Sequence, residues 1–510
     1  MQAMGVPGTR STSNATRLLS AGAYLERQFR KGVIHELVAC RFRSVAPAYG
    51  YDAVTVLAHA LAARRLARQQ AVGVIISWGV DLFLFKAGVI SSWGGLLVAV
   101  WAVWAFAFLR RAATLQALNR VRAAPAGGGY PANSALTPDL VAKISREQQG
   151  ADDAIFYSGY FPFVGSGRRL AEWSTAELLV PAPEPRIIRG MLQDGGETGA
   201  QSSVKPFTVT DITDYVAERL QARLYDEIPS GGRVERLTIE RRNYSGAAHV
   251  PVRRGRGGKV VLEPVAGGTG AQEAGRQDGE RYDATREYLC IRVGAWDEEL
   301  VISMFVCFDL RGNTLYSEFH PCVLPPVQAS FHLVDRLPGQ LTAGVLLRVA
   351  RHVPSALIAD VVRTVTTGPI SMLRRLQRGD RAVLGPELVV DNSDFRLGRY
   401  AAALADRGAR ISIRELAASQ DFHHYFQEKD QGKYIQIVER QLLRIKGEFL
   451  AERNVDIGDH LRSETNIIDA STQNYSGFNI TGSENFNIGG RHNVHNYGRA
   501  VPGPDTGGQP

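Results

Sequence analysis

Residues Gly88 to Leu109 read GVISSWGGLLVAVWAVWAFAFL, 22 residues without a charge. As a helix rising about 1.5 Å per residue, the run is roughly 33 Å long, matching a hydrocarbon core of about 30 Å. A helix apolar on every side must be wholly buried or lie in lipid. Four of the six tryptophans fall between Trp78 and Trp104, and Arg110, Arg111, Arg120 and Arg122 follow the run. A second run, Ala71 to Phe85 (AVGVIISWGVDLFLF), precedes it; it is shorter, carries Asp81, and is followed by Lys86. A charge at the bilayer centre costs about 2.5–3.5 kcal/mol, which weakens this run as a span unless Lys86 snorkels. Arg64, Arg65 and Arg68 lie before the first run and four arginines after the second, with only Lys86 between. Positive-inside bias then predicts a two-helix hairpin over 70–110 with both ends cytoplasmic. The alternatives are one span with a re-entrant first segment, or a buried hairpin in a soluble protein.

The rest of the chain has ordinary globular composition. It is 45% hydrophobic and 22% charged with net charge +8, over 510 residues, which excludes a wholly disordered chain, a collagen and a many-pass transporter. Four cysteines exclude a disulfide scaffold. The N-terminal MQAMGVPGTRSTSN lacks the apolar stretch of a cleavable signal, and no lipidation signal is evident. The expected location is the cell membrane, with most of the chain cytoplasmic and its thiols reduced.

The expected fold class is an α+β membrane protein, in seven parts. A helical N-terminal segment covers 1–69, with Asp52 capping a helix that carries Val54, Leu57 and Leu61. The hairpin covers 70–110, and a Pro/Gly/Ser-rich linker 111–150. A mixed α/β cytosolic domain spans 151–335. There Thr208 and Asp211 form a capping pair for a helix with Ile212, Val216 and Leu220 on one face. YLCIRV (288–293), LVISMFVCF (300–308) and TLYSEFHPCVLPP (314–326) form an antiparallel meander, with Gly312-Asn313 as a turn. Residues 336–395 are basic and amphipathic, suited to anionic headgroups or to packing on the sheet. Residues 396–470 are expected as C-terminal helices, one of them capped by Asp430. An Asn/Gly-rich tail follows over 471–510.

The tail repeats with a period of eight: Phe478-Asn479-Ile480 recurs as Phe486-Asn487-Ile488, and Gly482 as Gly490. Two copies bury too little to fold alone, but copies stacked from many chains interdigitate and ladder their asparagines. A disordered polar tail and a small β-solenoid cap are the other readings.

Motifs of chemistry are scarce. There is no phosphate loop, no zinc-protease helix and no nucleophile elbow. Gly165-Ser166-Gly167 suits a turn, and the cysteines suit core thiols. His423 and His424 are adjacent, about 100° apart on a helix, which is poor ligand geometry. His492 and His495 suit a surface pair. No catalytic residue, metal site or cofactor is expected. The basic loop with Arg253, Arg254, Arg256 and Lys259 would neutralise a few phosphates as a nucleic-acid contact, but lacks aromatics for stacking. A solvated loop is the preferred reading, and nucleic acid is not an expected partner.

Two resemblances follow from residues already quoted. SVAPAYGYD (44–52), YSGYFPFVGSG (157–167), YLCIRV (288–293), LYSEFHPCVLPP (315–326), SIRELA (412–417), YFQEKDQGKYIQIVERQLL (425–443) and FLAERNVDIGDHLRSETNII (449–468) resemble a family of actinobacterial integral membrane proteins with no assigned reaction. It implies location and layout over about 15–470, not chemistry. The tail resembles amyloid signalling motifs of the RIP-homotypic-interaction type. Asn474-Tyr475-Ser476-Gly477-Phe478-Asn479-Ile480 matches their lead-in and Phe486-Asn487-Ile488-Gly489 their core, with Thr481 where the first copy should have Gly. The expected function is a membrane-anchored interaction or signalling protein, with the bilayer as partner and homo-assembly or recruitment through the tail. The alternatives are a membrane-tethered enzyme with its site in 151–335, drawing on Asp297, Glu298 or Glu318, and a membrane-tethered nucleic-acid binder.

Overall fold

A computed structural model describes residues 13–40, 43–123, 130–148, 154–182, 203–229, 231–246, 249–254, 260–262, 285–338, 342–353 and 404–475. The helical unit begins with α1 (Asn14–Leu25), capped by the Ser13 side chain, which accepts from the Thr16 N–H. Extended backbone at Glu26 separates it from α2 (Arg27–Ile34), which runs into a π-turn at His35–Ala39. Asp52 caps α3 (Ala53–Lys86) as its sequence predicts, accepting from the N–H groups of Val54 and Thr55. The inner half of α3 packs Val54, Val56, Leu57 and Leu61 against Leu18, Leu19, Phe29 and Val33. At Gly22 there is no room for a Cβ, because the Phe331 ring occupies its place.

The outer half of α3 changes character. It pairs with α4 (Ser92–Ala123) as a protruding hairpin. Phe106 fills the space over Gly73, the Trp78 indole donates to the Ala99 carbonyl at 3.3 Å, and Arg110 donates to Gln70 at 2.7 Å. The Asp81 carboxylate faces Gly95, 3.5 Å from where a Cβ would stand. Outward, Ile75 is 67% exposed, Phe83 70%, Trp93 76% and Leu97 70%. Over half of the exposed large apolar side chains among the described residues lie between Val72 and Leu109. Among those residues one helix, α4, is long and apolar enough to cross a membrane, and it is mostly unburied. The two-span expectation thus meets one helix that qualifies by length and composition.

Beyond the arginines α4 continues to Ala123 and returns Leu118 and Val121 to the core. Much of the expected linker is therefore helical, since α5 (Pro138–Gln148) occupies its other end. Gln148 accepts from the Ala53 N–H and donates to Asp52, locking the start of α3.

The sheet has seven strands: β1 (Ala154–Tyr157), β2 (Arg168–Arg169), β3 (Trp173–Leu178), β4 (Thr238–Gly246), β7 (Arg286–Ala295), β8 (Leu300–Arg311) and β9 (Thr314–Leu324). Its order is β1-β4-β7-β8-β9, with β2 and β3 both pairing β9. Only the β1–β4 pair is parallel, so the sheet is mixed. The meander β7-β8-β9 falls where the apolar runs place it. Strands β5 (His249–Arg254) and β6 (Val260–Leu262) pair antiparallel, and β10 (Leu404–Asp406) pairs β5. β10 lies inside a stretch expected as helix.

One face of the sheet packs Ile291, Val293, Ile302, Met304, Val306, Phe319 and Val323 against two helices. The first is α6 (Val209–Gln221), whose Thr208–Asp211 capping box forms as its sequence predicts. A basic helix, α7, covers 343–353, and α8 (Ile413–Ala417) is a short capped turn. The second packing helix is α9 (Tyr425–Glu452), which brings Ile435, Val438, Leu442, Ile445 and Phe449 onto the sheet. Each such side chain contributes about 1.5–3 kcal/mol on burial. The expected cap at Asp430 is corrected: α9 starts six residues earlier, with His424 as N-cap and Gln427 closing the box. The last helix, α10 (Gly458–Tyr475), folds back along α9.

Candidate functional site

Side chains alternate between the faces of a sheet, so the opposite face collects the other set. It presents Glu240, Arg242 and Tyr244 from β4, Tyr288, Cys290 and Arg292 from β7, Ser303, Phe305 and Cys307 from β8, and Glu318, His320 and Cys322 from β9. Loops 43–52 and 157–167 and the start of α8 cover this face. Gly165 and Gly167 have φ of +91° and +89°, and the Val323 carbonyl stands where a Gly167 Cβ would be. Their N–H groups both donate to Glu415 Oε1 at 3.0 Å. The Gly-Ser-Gly turn is thus a loop pinned by a half-buried carboxylate.

At one end, the Arg292 guanidinium lies 4.0 Å from the centre of the Tyr49 ring, a cation–π contact. Glu240 accepts from Arg242 through Nε at 3.0 Å and Nη2 at 2.6 Å, and lies 3.9 Å from Arg292. Two guanidiniums therefore share one carboxylate. Arg242 Nη1, Arg292 Nε and Ser303 Oγ are buried without a hydrogen-bond partner among the described residues. Burial holds the Tyr49 hydroxyl and the Cys290 thiol protonated, although both arginines pull the other way.

At the other end, His320 sits between two carboxylates: Nδ1 is 2.9 Å from Glu172 and Nε2 3.2 Å from Glu318. Tyr288 donates to Glu318 at 3.2 Å, and Arg169 to Glu172 at 2.6 Å. Phe163 roofs the group, stacked on Phe305 with centroids 3.9 Å apart and 5.5 Å from the His320 ring. Burial opposes a charge on His320, but the Glu318 and Glu172 bonds outweigh it and raise its pKa. The His320 bond, ahead of the opposing burial, lowers that of Glu318. Burial pushes the Cys307 and Cys322 thiols to about 12, so neither is a thiolate nucleophile. The arrangement can hold an anion and relay a proton.

The expected convergence on this region is partial. Glu318 joins it, but from 157–167 it meets aromatic rather than polar side chains. Asp297 and Glu298 instead pair with Arg236 at the β7–β8 turn. Arg253 and Arg254 lie on β5, while Arg256 and Lys259 fall outside the described residues, as do Phe478, Asn479, Ile480, Phe486, Asn487 and Ile488. Arg242, Arg292, Glu240, His320 and Glu172 were missed. The available signal was the period-two alternation of strands, which puts Glu240, Arg242 and Tyr244 on one face of β4 and Tyr288, Cys290 and Arg292 on one face of β7.

Fold and face together define a mixed α/β domain with helices on one side of a seven-stranded sheet and a loop-covered aromatic and charged layer on the other. The model of the AbeC-like domain matches residues 172–490, and the chain belongs to that family. The match begins before β3, takes in the meander and α9–α10, and ends beyond both Phe-Asn-Ile copies. The protruding hairpin precedes it. No curated protein and no solved structure matches the chain.

Proposed function

We propose that this is a membrane-anchored interaction protein of the actinobacterial membrane family its segments resemble, with the α3–α4 hairpin in the bilayer and most of the chain on the cytoplasmic side. The observation that carries this is the apolar belt of Val72–Leu109 on a helix pair whose roots are packed in the core. A patch that large on a soluble monomer has no aqueous rationale. The placement of α7 supports it: the Trp104 indole donates to Ala350 and Arg111 to the His352 carbonyl, so a basic helix lies beside the belt's base. In this reading Arg348 and Arg351 meet anionic headgroups. The tail assembles, with Phe478, Ile480, Phe486 and Ile488 in a dry interface and Asn479 and Asn487 laddering.

The test is fractionation of the intact chain with a carbonate wash. Retention in the membrane pellet supports the anchor; release into the supernatant removes it. Tail-dependent sedimentation tests the assembly half separately.

One observation favours a receptor role for the covered sheet face. Arg242 and Arg292 share a single carboxylate and leave buried donors without a partner among the described residues. That suits a small anionic ligand better than a reaction. Calorimetric titration of the chain with inorganic phosphate, compared with Arg292→Gln, tests it; equal heats from both would remove the idea.

A further inference from the structure

Three ligand-type side chains converge outside the sheet face. Glu299 stands at the β7–β8 turn, His332 on the 3-10 helix Ala329–Arg336, and His423 just before α9. One ligand atom from each lies within 4.8 Å of the other two. His332 Nε2 is 3.6 Å from Glu299 Oε2, and the two imidazoles meet edge to face at 5.4 Å. The 3.6 Å separation is too long for a hydrogen bond. It is close to the edge of a zinc coordination tetrahedron, about 3.3 Å for bonds near 2.0 Å.

Two further observations point to a ligand. His332 Nε2 and His423 Nε2 are both buried and have no hydrogen-bond partner among the described residues. Buried ring nitrogens left unbonded are costly, and two facing one carboxylate oxygen need an acceptor of lone pairs. The surroundings are also built. Asn14 donates to Glu299 Oε1 at 3.1 Å, leaving Oε2 for the centre. The Glu299 carbonyl accepts from the buried Arg414 at 2.7 Å. The His423 N–H donates to Gln427 at 3.1 Å. Asp335, ion-paired with Arg17, lies 4.0 Å from His332 Nδ1, on the side where a carboxylate orients a metal-bound imidazole.

We infer that Glu299, His332 and His423 form a site for a divalent transition-metal ion of the zinc class. Two neutral imidazoles and one carboxylate are a known zinc donor set that leaves a fourth position for water. The ion joins three segments spread over 299–423, and through Asn14 and Arg17 it draws in α1. Adjacent His424 is not a ligand: its ring stacks on Trp296 at 5.7 Å.

The experiment uses the full chain in detergent, stripped with chelator and titrated with zinc, with metal content read by mass spectrometry. About one zinc per chain is expected, with a rise in Tm. His332→Ala and His423→Ala lose the bound ion, while His424→Ala and the His492→Ala/His495→Ala pair keep it. Asn14→Ala weakens affinity about 10- to 100-fold, as outer-sphere changes do. If the histidine variants do not fold, Glu299→Gln decides: its apo Tm matches the parent and zinc no longer raises it. Failure of the stripped chain to bind zinc, retention by the His332→Ala/His423→Ala variant, or loss with the tail histidines alone overturns the site.

Discussion

Lys446 is 1% exposed at its side chain and Glu177 5%, with 2.9 Å between Nζ and Oε1. Thr175 and His460 complete the set at 3.1 and 3.2 Å. Removing one partner of such a pair leaves a buried charge, so Lys446→Met should cost about 3–5 kcal/mol. Urea denaturation checks this, and Lys446→Met/Glu177→Leu should recover much of the loss. His320 gives a pH signature. Its raised pKa means its contribution is complete below the ordinary 6.5 and is lost as pH rises through the folded value. Glu318 has the opposite sign: its contribution is complete above 4.5 and is lost on acidification. Together they favour the fold most between 4.5 and 6.5. Melting curves of His320→Gln should lack the decline that the parent shows above 6.5; parallel curves would refute the assignment. At this scale little was legible in advance. Glu177 and Lys446 are 269 positions apart, and Glu299 and His423 are 124 apart, so no spacing rule connects them. Adjacent His423 and His424 precede α9, so the helical angle between neighbours does not apply to them; their rings meet His332 and Trp296 respectively.

Elements were far more legible, because period and caps are local. Asp52, the Thr208–Asp211 box and the meander all formed where the pattern puts them. The failures were also physical. The Asp430 start for α9 ignored that Gln427 could reach back to the N–H groups of His423 and His424. β10 is three residues long and owes its existence to β5, a partner more than 140 positions earlier. The hairpin gives the sharpest element-scale prediction. Leu97→Lys/Trp101→Lys places two charges on the exposed belt, each costing about 2.5–3.5 kcal/mol at a helix centre. Carbonate-resistant membrane retention should fall; unchanged retention would mean that the belt is not in lipid. Asp81→Leu should act oppositely, increasing insertion in a glycosylation-mapping assay.

For the whole molecule, family membership joins the sheet from β3 onward and the C-terminal helices to the first part of the tail, while the helical unit, the hairpin, β1 and β2 lie before the matched span. Chain ending at Tyr475 should therefore keep the melting temperature of the body, since α10 is already held by Tyr475 against Gly432 and by its hydroxyl on Ala171. Under the assembly reading the same truncation removes sedimentation of the intact protein. A fall in Tm would instead make residues beyond 475 part of the body. The apolar character of the hairpin was readable because uncharged runs report it directly. The sheet's charged face was not, because its parts come from four strands and three loops brought together only by register. One consequence concerns mechanics. α3 and α4 pass unbroken from packed roots to bare apolar flanks, so neither has a joint where bending could dissipate. Under the membrane reading proposed above, a change in bilayer thickness or tension around the outer half would act as torque on Leu57 and Leu118, making the helix pair a lever with its fulcrum in the protein interior.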